Sequence, residues 1–385
     1  MHKLRIYLTA ICLISLSFFS RAQTNERSGL RISLITCTPG EELYSIFGHS
    51  ALRVVDSVSL TDLVYNYGTF NFDDEGFYLK FIRGKLLYYI SLENFSDFAY
   101  MYKSENRGIT EQVLDLTDEE KTDLRSFLNE NLKEENKYYR YDFFFDNCTT
   151  RLRDLIRAYK RPRPHFETVM PENTRFREAI HMYLDRGRQY WSKLGIDILL
   201  GAPTDAIMTA EQQQFLPDNL MWSLDSTRNT SLVKNKQVIV STIPVQESGF
   251  RFTPGIFFSF LLCMIILLSL YKHPKAASLL NRLDGLFFFL TGSLGCILLF
   301  MWFGTDHSMT KNNYNLLWAW PTHAVMAFLT GSKKKWVRTY WLLTAAGLTL
   351  LLISWYFLPQ QMNQALIPFV LMLIYRSSVK YVKNK

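Results

Sequence analysis

The strongest constraint on the fold lies in residues 251–385, where the stretches 252–271, 285–305, 312–332 and 339–375 contain no Lys, Arg, Asp or Glu. About 20 consecutive apolar residues span a bilayer as a helix, and in lipid the backbone polar groups must be satisfied within the segment itself. These stretches therefore predict an all-α, multi-pass transmembrane domain. The last is too long for one span, and Pro359-Gln360-Gln361 divides it into a hairpin, which gives about five helices. Loop charge sets the orientation. Lys272, Lys275 and Arg282, then Lys333, Lys334, Lys335 and Arg338, then Arg376, Lys380, Lys383 and Lys385 fall on one side, and the opposite loops carry only Lys311. The positive-inside rule puts the basic side in the cytoplasm and the residues before 251 outside. The net charge of +8 then reflects topology, and no nucleic-acid partner is called for.

The N-terminus agrees. Lys3 and Arg5 precede an apolar run over 6–19 that ends in Ser20-Arg21-Ala22, which predicts a secretory signal peptide over 1–22, with an uncleaved signal anchor as the alternative. From 23 to 160 the pattern is that of a compact α+β domain. Leu30–Cys37, 50–55, 63–67 and 85–92 read as strands, and Thr117-Asp118-Glu119-Glu120 is a capping box ahead of a helix carrying Leu124, Leu128 and Leu132. Arg161-Pro162-Arg163-Pro164 marks a boundary, after which 161–250 reads as an accessory helical and β layer joining this domain to the membrane.

In the run YYRYDFFFDNCTTRLRDLIR (138–157), Leu152, Leu155, Ile156 and Tyr159 give one apolar helical face, with Asn147 or Asp146 as N-cap. Cys148 thus falls in a first helical turn, where unpaired N–H groups and the helix dipole favour a thiolate. A buried cysteine packed as a small hydrophobe is the commoner fate, so a partner decides. His49, entering the strand after Phe47-Gly48, is the expected base, and Asn66 on the next strand is the expected orienter of its imidazole. The five cysteines form no C-x-x-C pair and no zinc pattern, and a Cys37–Cys148 disulfide stays open. No cofactor or metal is expected. A zinc site from Asp306, His307 and His323 is only weakly specified.

Polar groups that invite a lipid headgroup are Arg53, Arg83, Lys85 and Arg151 in the exported domain and Asp306, His307, Asn315 and His323 around the loop between the second and third spans. His323, about a turn into the membrane, is expected to line a headgroup-level pocket with Asp306 and His307 or to bond a neighbouring helix. The aromatics Phe143, Phe144, Phe145, Tyr88 and Tyr89 are candidates to shelter an acyl chain, although most such runs are core.

The order of a histidine on a strand followed by a cysteine at a helix start resembles the circularly permuted papain-like group that includes the lecithin:retinol acyltransferase and phospholipid acyltransferase families. The segments TCTPGEELYSIFGHSALRVVD, YNYGTFNF, FIRGKLLYY and YRYDFFFDNCTTRLRDLI, and GTDHSMTKNNYNLLWAWPTHA in the membrane part, resemble the Lnb-type lipoprotein N-acyltransferases. The resemblance covers most of the mature chain. It implies a permuted papain-like exported domain ahead of the membrane domain, in the bacterial inner membrane with the N-terminal domain in the periplasm. It also implies transfer of an acyl chain from a membrane phospholipid, through a Cys148 thioester, to the α-amine of a diacylglyceryl-cysteine lipoprotein. A membrane-anchored cell-wall Cys peptidase or amidase, and a non-catalytic lipid-binding or assembly protein, are the alternatives.

Overall fold

The computed structural model describes residues 29–243, 249 and 251–383. The expected signal peptide, Cys12 and Lys385 lie outside them. The first half is built on one seven-stranded antiparallel sheet. Its strands are β1 (Leu30–Cys37), β2 (His49–Asp56), β3 (Thr61–Thr69), β4 (Leu87–Asn94), β5 (Ile109–Leu114), β6 (Tyr138–Arg140) and β7 (Val233–Val240), in the order β6-β4-β3-β2-β1-β5-β7. Helix α1 (Phe77–Ile82) joins β3 to β4, and α2 (Phe95–Ser104), α3 (Asp118–Asn131) and α4 (Cys148–Tyr159) follow.

Alternation along β2 divides the two faces. Leu52 and Val54 pack with Leu34 and Tyr65 beneath Leu152, Leu155 and Ile156 of α4 and Leu124 and Leu128 of α3. On the other face Ile35, Cys37, Ala51 and Val64 lie under Phe95, Phe98 and Tyr102 of α2. The α3 start is set by a capping box in which Thr117 Oγ1 accepts from the Glu120 N–H and Glu120 accepts from the Thr117 N–H.

The accessory layer contains α5 (Phe176–Arg186), α6 (Tyr190–Leu199) and α7 (Pro217–Ser226). Next come the membrane-domain helices α8 (Pro254–Leu270), α9 (Pro274–Phe303), α10 (Lys335–Ser354) and α11 (Ile367–Lys383). Among the described residues three helices, Pro274–Phe303, Lys335–Ser354 and Gln364–Lys383, are long and apolar enough to cross a membrane, and Pro254–Leu270 is a shorter apolar helix. At one end of the bundle Gly201 N–H donates to Met309 O, and Gln360 Nε2 donates to Leu200 O. At the other end Arg338 bonds Tyr381 O, and Lys380 bonds Asn281. Lys380 and Arg376 also clamp the buried Asp284 there.

The third span departs from the continuous helix expected over 312–332. Only short turns form, at Tyr314–Leu317, His323–Met326 and Ala327–Leu329. Irregular backbone is tolerated at membrane depth where protein buries it, and the glycines of α9 allow that. A Cβ on Gly292 would overlap the Ala324 backbone nitrogen, and one on Gly295 the Ala319 carbonyl oxygen.

A buried polar cluster ties the accessory layer to this bundle. Arg177 donates to Asp197 (2.9 Å) and Asp205 (3.0 Å), and Asp197 also receives His181 (2.7 Å) and Asn363 (2.8 Å). Asn313 and Asn315 reach across to the Asp197–Leu199 carbonyls. Arg177 is 0% exposed and paired with two carboxylates, so Asp197→Ala takes one of them from a buried guanidinium and strips the acceptor from His181 and Asn363. The expected loss is about 3–5 kcal/mol, read as a lowered midpoint of thermal unfolding of the full chain in detergent. Asp197→Asn, which keeps the acceptor, should lose less.

Candidate active site

Local chemistry fixes the start of α4. Asn147 is the cap: its Oδ1 accepts from the Thr149 and Thr150 N–H groups, each at 2.8 Å, and its Nδ2 donates to Phe143 O and Phe215 O. Asp146 is occupied by Arg151 at 2.6 Å and 2.8 Å. Among the described residues the Cys148 N–H, next in line, has no hydrogen-bond partner. Thr149 Oγ1 donates to Ser50 Oγ (3.1 Å), which pins α4 against β2 beside His49, the first residue of that strand.

The half-buried Cys148 thiol and His49 imidazole lie near enough for each to shift the other's ionisation. His49 Nε2 lies 2.5 Å from Asn66 Oδ1, and Asn66 Nδ2 donates to Glu93 at 3.3 Å. With Nε2 engaged by Asn66, Nδ1 is the nitrogen left for sulfur. Gly68 lets β3 pass close to the nucleophile: its φ is +91°, and a Cβ there would stand 3.6 Å from Cys148 Cβ and 4.0 Å from the Tyr141 ring.

Burial opposes ionisation of the Cys148 thiol. The adjacent His49 charge and hydrogen bond, helped by the Ser50 N–H and Thr149, outweigh it and bring the thiol down to about 7. Burial likewise opposes the imidazolium, and the facing sulfur with Asn66 overcomes that and raises His49. One group goes down and the other up, the two directions that favour a thiolate facing an imidazolium. Alkylation of Cys148 by iodoacetamide should accordingly be half-maximal near pH 7. In His49→Ala the two His49 contributions are lost and burial is opposed only by the Ser50 N–H and Thr149, so the midpoint should move up, away from neutral pH.

The other expected site residues divide. Arg53 is not available to a ligand, because Asp62 holds it at 2.5 Å and 2.8 Å, Glu111 lies at 3.3 Å, and its guanidinium stacks on Phe95. Arg151 is likewise spent on Asp146 and the Tyr139 ring. Asn315 is buried in the clasp, bonded to Asp197 O and Ile198 O and accepting from Trp318 Nε1. His323 is sealed among Phe288, Trp320 and Tyr340, with Nδ1 2.5 Å from the Tyr340 hydroxyl. It therefore shares neither a headgroup pocket nor a metal site with Asp306 and His307. Those two dock on the exported domain instead. Asp306 N–H donates to Arg83 O (3.0 Å), and His307 Nε2 lies 3.2 Å and 3.1 Å from the Phe81 and Ile82 carbonyls. The Arg83 side chain is exposed. Phe143 and Phe144 are core packed with Phe176 and Phe215, and Cys37 and Cys148 are both free thiols, not a disulfide.

Sequence reasoning missed Gly68, Tyr141 and the Ser308–Asp142 bond (2.9 Å), through which the loop after α9 touches the segment leading to Cys148. The motif YNYGTFNF contained the first signal: a glycine between a candidate orienter and an aromatic run.

A family model described as the Lnb N-terminal periplasmic domain matches residues 20–178, and one described as the Lnb transmembrane domain matches residues 245–385. The chain belongs to the Lnb family. No curated protein and no solved structure matches it. Membership accounts for both halves of this Lnb-family chain at once. It is a membrane protein with a periplasmic N-terminal domain of mixed α/β structure followed by a helical membrane domain.

Proposed function

We propose that the chain is a lipoprotein N-acyltransferase of the bacterial inner membrane, crossing it five times, with Cys148 as nucleophile, His49 as acid and base, and Asn66 as the residue that orients His49. The observation that carries this reading is the docking of the membrane loop 304–308 on the domain that holds Cys148 and His49, with Ser308 on Asp142, in the segment leading to Cys148, and His307 on the Phe81 and Ile82 carbonyls. A reactive thiol held against a membrane surface suits substrates that live in that surface.

The Cys148 thiolate attacks the ester carbonyl carbon of a phospholipid, forming a C–S bond and a tetrahedral oxyanion. In this reading the Cys148 N–H donates to that oxyanion, because the Thr149 and Thr150 N–H groups are spent on Asn147. Collapse breaks the ester C–O bond, and His49 gives its proton to the departing lyso-phospholipid alkoxide. The α-amine of a diacylglyceryl-cysteine then attacks the thioester, His49 takes the amine proton, and thiolate leaves as the amide forms. Arg83, exposed beside the docked loop, is the cation assigned to lipid phosphate.

Incubating the purified full chain with phospholipid and recording its intact mass tests the first half-reaction. One acyl chain on Cys148, labile to hydroxylamine and discharged by a diacylated lipopeptide amine, is expected. Discharge by muropeptides instead would favour the membrane-anchored peptidase.

A further inference from the structure

The connection between β3 and β4 carries Phe72, Tyr78, Leu79, Phe81 and Ile82 exposed to the surroundings, Tyr78 by 76%. A patch of this kind marks an interaction surface. Its height is fixed by the contacts of Asp306 and His307 with the Phe81–Arg83 carbonyls, because those two residues follow closely on Phe303, the last residue of the membrane helix α9. The patch therefore stands at the outer surface of the bilayer. Arg83 and Lys85, both exposed, lie at the end that meets the membrane loop, whereas the acidic Asp73 and Glu75 precede α1 at its other end. That is the polarity expected of an element whose basic end meets lipid phosphate.

A row of rings leads inward from this patch. Phe72 and Phe77 stand 4.9 Å and 5.9 Å from Phe70, Phe70 stands 5.3 Å from Tyr88, and Tyr88 stacks on Tyr141 at 4.3 Å. Tyr141 and Cys148 then both border Gly68. We propose that the β3–β4 connection is a wedge inserted into the outer leaflet, occupied by the acyl chain of a phospholipid, and that the row from Phe70 to Tyr141 guides that chain's ester to Cys148. The guiding step rests on the acyltransferase reading above; the insertion does not.

The test uses the full chain reconstituted in phosphatidylethanolamine vesicles. Benzoylphenylalanine placed at Tyr78 or Leu79 should form photo-adducts with phospholipid acyl chains, and at Leu60, 89% exposed at the far end of β3, it should form none. No adduct at 78 and 79, or equal adducts at 60, overturns the wedge. In a second arm, the double substitution Leu79→Asp and Ile82→Asp should slow thioester formation at Cys148 tenfold or more while the rate of Cys148 alkylation by iodoacetamide stays unchanged, which shows an intact thiol. An undiminished thioester rate overturns the guiding role. A wild-type chain that forms no thioester overturns the acyltransferase reading and the guiding role with it, and the photo-adducts then still decide insertion.

Discussion

Cells whose only copy carries Cys148→Ala are expected to make lipoproteins that lack the amide-linked acyl chain, and mass spectrometry of their N-terminal peptides should match that of cells with no copy. The substitution removes the nucleophile itself, so no thioester can form. The expected loss in purified protein is about 10⁴-fold or more, the scale seen when a member of a catalytic unit is deleted. Structural damage is not a competing explanation for that size of effect. Cys148 is half-buried, and the cap on α4 is made by Asn147, Thr149 and Thr150, none of which needs the sulfur. His49→Ala should fall by a similar order, with the added signature that the thiol loses its reactivity near neutral pH. Equal acyl-chain counts in wild-type, Cys148→Ala and copy-free cells would sink the N-acyltransferase reading, and wild-type acyl-chain counts in the alanine variant alone would leave a non-enzymatic role.

The second large effect is expected in the membrane domain. Gly292→Ala and Gly295→Ala each place a methyl group on backbone atoms of the broken third span, at Ala324 and Ala319. Backbone cannot rotate aside as a flexible side chain can, so α9 and the 319–327 segment must separate. Overpacking of that kind costs about 1–3 kcal/mol for an ordinary core and more where backbone is struck. The double variant should sharply lower the yield of monodisperse protein in detergent and its thermal midpoint. Gly331→Ala, where a Cβ meets nothing within 4 Å, is the matched control and should behave as wild type. Equal midpoints for the double variant and the control would show that the third span does not rest on α9 as described.

What the sequence reveals here depends on how local the cause is. The α4 helix is legible because its cap and its apolar stripe lie within 13 residues of each other, from Asn147 to Tyr159. The first two strands are legible because a run of β-branched and leucine residues is a local pattern. Strand β5 is not, since Glu111 and Gln112 are fully buried and their partners, Arg53, Gln237 and Asp225, come from distant parts of the chain. The same blindness explains the misreading of Arg53 and Asn315: a polar residue looks free to bind a ligand until folding brings up its acceptor. The third span reads as a helix because composition reports apolarity alone. Its breaks are licensed by glycines of another helix, which no window along 312–332 contains.

The clasp around Asp197 and the docked loop at His307 leave the periplasmic domain little freedom to swing over its own membrane anchor. For substrates dissolved in the leaflet, such a fixed head samples a plane and not a volume. Turnover would then follow the surface density of donor and acceptor, set by lateral diffusion and dilutable with inert lipid, while adding more vesicles at constant composition would change nothing.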